Sequence, residues 1–272
     1  MNDSIETLGV KHAVRIAGNG EPLLLLHGFT GSMGTWETFI DHWSKCFKII
    51  AIDIVGHGST IAPDDVSCFN MSHEAASIMK LLDKLNIKKP HLLGYSMGGR
   101  LALFMKTKYP EETGSLLLES SSPGLASEQD RIIRKQNDDQ LADRIEAYGV
   151  ENFVNEWEKV PLFKTQESLS KLDRQKIRVE RLNQTANGLA NSLRGMGTGV
   201  QPSLWDELKT ISSHVMIVVG SLDQKFVQIG KAMSKRLPNA TFHIVSNAGH
   251  AIHVEQPRIF DKIVSDDFYR SI

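Results

Sequence analysis

Residues 91–108 read HLLGYSMGGRLALFMKTK, and this stretch decides the fold. A short apolar run, 91–93, ends in Gly94-Tyr95-Ser96-Met97-Gly98, and a helical run over 101–108 follows. The pattern G-x-S-x-G between a strand and a helix is a nucleophile elbow. Its glycines permit the sharp turn that lifts a serine hydroxyl above the sheet and aims the first helical amides at it. A serine hydroxyl is inert at neutral pH unless a base takes its proton, and the base needs an acid to orient it. In this architecture the acid and then the histidine follow the serine, each just past a strand. Asp223 follows the apolar run 215–219, and His250 follows the run 241–245. Ser96, Asp223 and His250 are therefore the candidate catalytic residues. His253 competes with His250 for the base, and Asp206 is the other acid to weigh against Asp223. The two histidines have no third clustered ligand and no H-E-x-x-H spacing, so no metal is expected.

Outward from the elbow, residues 23–26, 49–54, 91–93 and 116–118 are near-continuous apolar runs, as strands buried on both faces require. Between two of them Ser72 is placed to cap a helix whose Ala75, Ile78, Met79, Leu82 and Leu85 recur at three- and four-residue steps. Parallel strands joined by crossover helices make an α/β sheet, with ligands at the carboxyl ends of the strands. His27-Gly28-Phe29 follows the first strongly apolar run and can aim the Phe29 amide above Ser96. With the Met97 amide it would form an oxyanion hole. Asp53-Ile54-Val55-Gly56-His57-Gly58 ends another strand and reads as loop architecture.

From residue 121 to about 205 strand-like runs give way to charged residues and apolar residues at helical intervals, and the sheet pattern then resumes. The expected organisation is a sheet core over 1–120 and 206–272 with a helical cap over 121–205, placed above the ligand side. A last helix is expected after Glu255.

Lys plus Arg total 31 against 32 Asp plus Glu, so no overall field attracts nucleic acid or an anionic membrane. The amino terminus carries early acids and no secretory apolar run, and nothing approaches the ~18 apolar residues of a membrane span. The two cysteines, Cys46 and Cys68, have no metal-like or redox-like spacing and read as small buried hydrophobes. A cytoplasmic enzyme without a cofactor, a nucleic-acid or membrane partner, or an obligate protein partner is expected. Its partner is a small molecule.

With the elbow, the HGF loop, D-x-x-G-H-G and the late Asp and His in place, the chain resembles the α/β-hydrolase superfamily over nearly its whole length. Superfamily membership names no reaction. A narrower likeness lies in GYSMGGR (94–100), SPGL (122–125), the segment leading to Arg134, RLN (181–183), LRGMGTG (193–199) and QP (201–202). In these stretches it resembles the 2-succinyl-6-hydroxy-2,4-cyclohexadiene-1-carboxylate synthases of menaquinone biosynthesis. These are carbon–oxygen lyases that expel pyruvate from a cyclohexene tricarboxylate and use the triad as a base.

That resemblance implies a triad of Ser96, Asp223 and His250 and oxyanion donors on Phe29 and Met97. It places Tyr95 and Arg100 beside the site, and it has Arg134, Trp157 and Arg181 contacting substrate from the cap. The longer stretch before Arg181 leaves Arg178 as its substitute. A substrate with several carboxylates suits arginine, whose planar fork binds carboxylate bidentately. The cap arginines also fit simple pairing with cap acids on solvated faces. If Arg134 binds substrate, its replacement by alanine should weaken productive binding and cost within about 1 kcal/mol of stability, as for a surface residue. The same triad fits a serine esterase or related hydrolase that forms an acyl-enzyme from a small carboxylate-bearing ester. A non-catalytic receptor on this fold would not need the triad intact.

Overall fold

Alternate residues of the central strands face opposite ways, and both sets are apolar, so the sheet can exist only with helices packed on both faces. The computed structural model, which describes residues 2–272, shows that arrangement. In chain order the elements of the first part are β1 (Asn2–Thr7), β2 (Val10–Ala17), β3 (Glu21–Leu26), α1 (Glu37–Trp43), β4 (Phe47–Ile52), α2 (Met71–Lys84), β5 (His91–Tyr95), α3 (Met97–Lys108) and β6 (Leu116–Glu119). Three helices follow in succession: α4 (Glu128–Trp157), α5 (Lys171–Leu182) and α6 (Ala186–Met196). The chain then returns to the sheet with β7 (Val215–Gly220), α7 (Gln224–Ser234), β8 (Ala240–Val245), α8 (Ile252–Glu255) and α9 (Pro257–Lys262).

The eight strands run in the order β1-β2-β4-β3-β5-β6-β7-β8. The pairs β1–β2 and β2–β4 are antiparallel and all the others parallel. Leu24, Leu26, Ile50, Leu92 and Ile217 face a core closed by α2, α3 and α7. Leu23, Leu25, Ile49, Leu93 and Val218 face the other, where Trp36, Trp43, Phe260 and Phe268 fill the space. A third, smaller core of Ala142, Ile145, Phe153, Val154, Leu189 and Leu193 lies among the helices between β6 and β7. No helix among the described residues is long and apolar enough to cross a membrane.

Three details differ from the expectations. The cap of α2 is Asn70, whose side chain accepts from the His73 amide at 2.8 Å, not Ser72. Met71 is itself buried, so the helix begins one turn before its regular apolar repeat. The helical end starts at Ile252, before Glu255, and resumes at Pro257. Cys68 is buried, but Cys46 is only half-buried against the second core.

Candidate active site

The carboxyl ends of β5, β7 and β8 deliver three side chains to one point. Ser96 lies between β5 and α3 at φ +49°, a backbone that favours glycine, and it is held there because the turn has no slack. A Cβ on Gly98 would collide with the Leu26 carbonyl, and one on Gly94 would meet Gly99 Cα at 2.5 Å. His250 Nε2 lies 3.0 Å from Ser96 Oγ, and His250 Nδ1 lies 2.7 Å from Asp223 Oδ2. Asp223 also caps α7, its Oδ1 accepting from the Phe226 amide at 3.3 Å. His250 is 1% exposed and Asp223 9%, so water competes little for these bonds.

His253 is not placed to serve Ser96. Its Nδ1 lies 2.9 Å from the buried Glu119, whose carboxylate also accepts the His253 amide. Asp206 is exposed and caps nothing. Asp53 serves the loops: its carboxylate accepts the Met33 amide at 2.6 Å and the Ser59 amide at 2.8 Å. His27 is fully buried, with Nδ1 donating to Gly28 O at 2.8 Å and Nε2 accepting from Ile54 N at 3.0 Å. Burial pushes its pKa down to about 4, so the ring is neutral at pH 7 and can hold both bonds. These bonds pin the loop that carries Phe29. Met97 opens α3, so its amide has no carbonyl partner one turn back.

A cavity of about 220 Å³ opens above Ser96 and His250, lined by Phe29, Tyr95, Met97, Arg100, Arg134, Trp157 and residues of α6 and α7. It thus brings together every residue expected at the site except Arg181 and Asp223, the latter bonded to His250 without lining the cavity. The Trp157 ring packs on Phe29 at 5.6 Å and on Phe153 at 5.3 Å, and its buried indole N–H has no acceptor in the protein. Tyr95 has its hydroxyl pKa raised well above the ordinary value by burial and then by Glu119, so it is a neutral phenol.

Arg181 lies behind Phe163, with its guanidinium 4.8 Å from that ring, and lines a separate small cavity with Tyr95 and Gln166. It also contacts Glu158 at 3.5 Å, while Arg178 pairs with the same Glu158 at 2.8 Å and lines neither cavity. Lys225 lines the main cavity and was not anticipated, although it stands only two residues past Asp223. Among the described residues no cluster of three His, Cys, Asp or Glu is placed to hold a metal ion.

Arg134 combines the two expectations for a cap arginine. It lines the cavity, and its Nε donates to Asp138 Oδ1 at 2.8 Å. Asp138 is only 4% exposed, so the surface-residue estimate of stability does not hold. Arg134→Ala should raise KM about 10- to 100-fold and also cost ~1–3 kcal/mol, because a buried carboxylate loses its charged donor. Arg134→Lys should recover little of the KM, since the fork is lost. Steady-state kinetics and urea unfolding check the two effects separately, and an unchanged KM would leave Arg134 only as the partner of Asp138.

A sequence profile of the alpha/beta hydrolase fold matches residues 21–257. A protein of Bacillus subtilis (strain 168), provisionally named 2-succinyl-6-hydroxy-2,4-cyclohexadiene-1-carboxylate synthase, is 44% identical over 95% of this chain and 94% of its own. The 2-succinyl-6-hydroxy-2,4-cyclohexadiene-1-carboxylate synthase of Salmonella paratyphi B is 29% identical over 90% of this chain and 94% of its own. The structure of MenH from S. aureus superposes with a TM-score of 0.89 at 36% identity, covering 93% of this chain and 96% of that one.

Proposed function

The chain belongs to the alpha/beta hydrolase fold family and, within it, to the family of 2-succinyl-6-hydroxy-2,4-cyclohexadiene-1-carboxylate synthases, and from that premise we propose the same carbon–oxygen lyase reaction for it. The substrate is 2-succinyl-5-enolpyruvyl-6-hydroxy-3-cyclohexene-1-carboxylate, and the products are pyruvate and the 2,4-cyclohexadiene. One observation carries the reading: a serine already bonded to a buried His–Asp pair opens into a cavity where, among the described residues, two guanidiniums meet one carboxylate, that of Asp138. An ester bearing one carboxylate would use one of these groups, whereas a tricarboxylate has a carboxylate for each.

In this reading His250 takes the Ser96 proton and the serine oxygen takes the proton from the ring carbon bearing the succinyl group. The C–H electron pair passes into an enolate whose oxygen is held by the Phe29 and Met97 amides. Such donors are typically worth ~3–4 kcal/mol each. As the enolate collapses, the ring double bond shifts and the C–O bond to the enolpyruvyl group breaks. The proton held by His250 returns to Ser96, and the proton taken from carbon passes to the leaving pyruvate. Asp223 fixes the His250 tautomer. Tyr95, Arg100, Arg134 and Trp157 contact substrate, with Arg181 reaching it only if Phe163 gives way. Residues 121–205 act as the cap, in a cytoplasmic enzyme whose partner is this small molecule.

The test is to supply the enolpyruvyl cyclohexene tricarboxylate and follow pyruvate release together with the diene chromophore, with aryl esters in parallel. Accelerated pyruvate release with poor ester turnover is expected. Efficient ester turnover without pyruvate release would establish the esterase instead.

A further inference from the structure

Four of the arginines between β6 and β7 spend their charge on acids: Arg134 on Asp138, Arg178 and Arg181 on Glu158, Arg194 on Glu146 and Asp143, while Arg131 donates to the Leu125 and Ala126 carbonyls. Arg100, on α3 and lining the cavity, also meets no acid. Its Nη1 donates to two neutral oxygens, Met196 O at 2.9 Å and Gln201 Oε1 at 2.7 Å. Among the described residues no carboxylate oxygen comes within 4.0 Å of its guanidinium. Burial, and then the charge of Arg134, pull its pKa down to about 10, which leaves it protonated at neutral pH.

Gln201 is an expensive choice at this place. It is 1% exposed, and its amide nitrogen has no acceptor among the described residues. A buried donor left unpaired is destabilising, because its lost hydration is not replaced. A glutamate of the same shape would have no such donor and would meet Arg100 with a carboxylate, so structure alone favours the acid. We infer that Gln201 is a positioning residue that grips Arg100 through a neutral oxygen and so leaves the guanidinium charge free for a substrate carboxylate. This rests on the lyase reading only through that carboxylate.

Gln201→Glu should raise KM for the tricarboxylate about 30-fold or more, with kcat within about threefold and Tm equal to or above that of the wild type. Gln201→Met, neutral and similar in length, should keep KM within about tenfold, because Met196 O still holds Arg100 and no anion competes. A wild-type KM in Gln201→Glu would overturn the inference. So would a Gln201→Met defect as large as that of Gln201→Glu, or a Gln201→Glu protein that melts well below the wild type. A wild type that releases no pyruvate is a failure of the lyase reading instead. In that case succinate affinity by titration calorimetry makes the same comparison: weaker binding by Gln201→Glu than by Gln201→Met supports the inference, and equal binding overturns it.

Discussion

Ser96→Ala is expected to lower kcat by about 10⁴ or more while leaving the folded protein intact. The substitution removes one atom, Oγ, whose hydrogen-bond partner is His250 Nε2 at 3.0 Å. Alanine keeps the Cβ, so the left-handed backbone at φ +49° is no more strained than before, and the close packing around Gly94 and Gly98 is untouched. What disappears is the oxygen that, in the proposed reaction, receives the substrate proton. His250 is held by Asp223 in line with that oxygen, and water in its place would lack the orientation that makes proton transfer fast. Single-turnover kinetics, with a melting curve as control, measure both parts. A folded Ser96→Ala protein that releases pyruvate at near wild-type rate would remove Ser96 from the reaction and leave His250 to act directly on carbon.

The elbow was legible because every requirement it makes is local. Gly94 and Gly98 have to be small to pass backbone atoms, and an apolar run and a helical run have to flank them. The positions of Asp223 and His250 followed from chain order and strand ends alone. The antiparallel strands β1 and β2 were less visible, since one edge of the sheet is carried by a mixed sequence with polar residues such as His12 and Thr7 buried in it. Asn70 and Ser72 are both good capping residues two positions apart, and only the burial of Met71 decides between them. The cap arginines were the hardest to sort. Arg134 sits on the acid-rich α4 and Arg178 and Arg181 on α5, where bases outnumber acids, and what separates them is which tertiary neighbour each meets: Asp138, Glu158 or the Phe163 ring. Lys225 carries no motif, and Gln201 enters only through the QP likeness, which gives it no role. Their place beside Arg100 and in the cavity comes from segments far apart in the chain.

Asp223→Asn should cost about 10⁴ in rate with little loss of stability. The Asp223 carboxylate does two things at once: Oδ2 accepts from His250 Nδ1 at 2.7 Å, and Oδ1 accepts from the Phe226 amide at 3.3 Å as the cap of α7. A carboxylate has two acceptor oxygens for these two donors, but an amide has only one. If asparagine keeps its oxygen on the Phe226 amide, its NH₂ faces His250 Nδ1. The ring must then put its proton on Nε2, where it donates to Ser96 and can take no proton from it. If the amide flips, the His250 tautomer is restored, but NH₂ faces N–H at the start of α7 and the cap is lost, at typically ~1 kcal/mol. Either placement fails one of the two donors, and the buried imidazolium that forms during proton transfer loses its counter-charge in both. Asp206→Asn is the matched control, since Asp206 is exposed and far from these bonds, and it should leave both rate and Tm unchanged. Kinetics and melting of the two variants side by side decide the matter: an active Asp223→Asn beside a dead Asp206→Asn would transfer the orienting role to the other acid and show that the 2.7 Å contact does not hold the base during turnover.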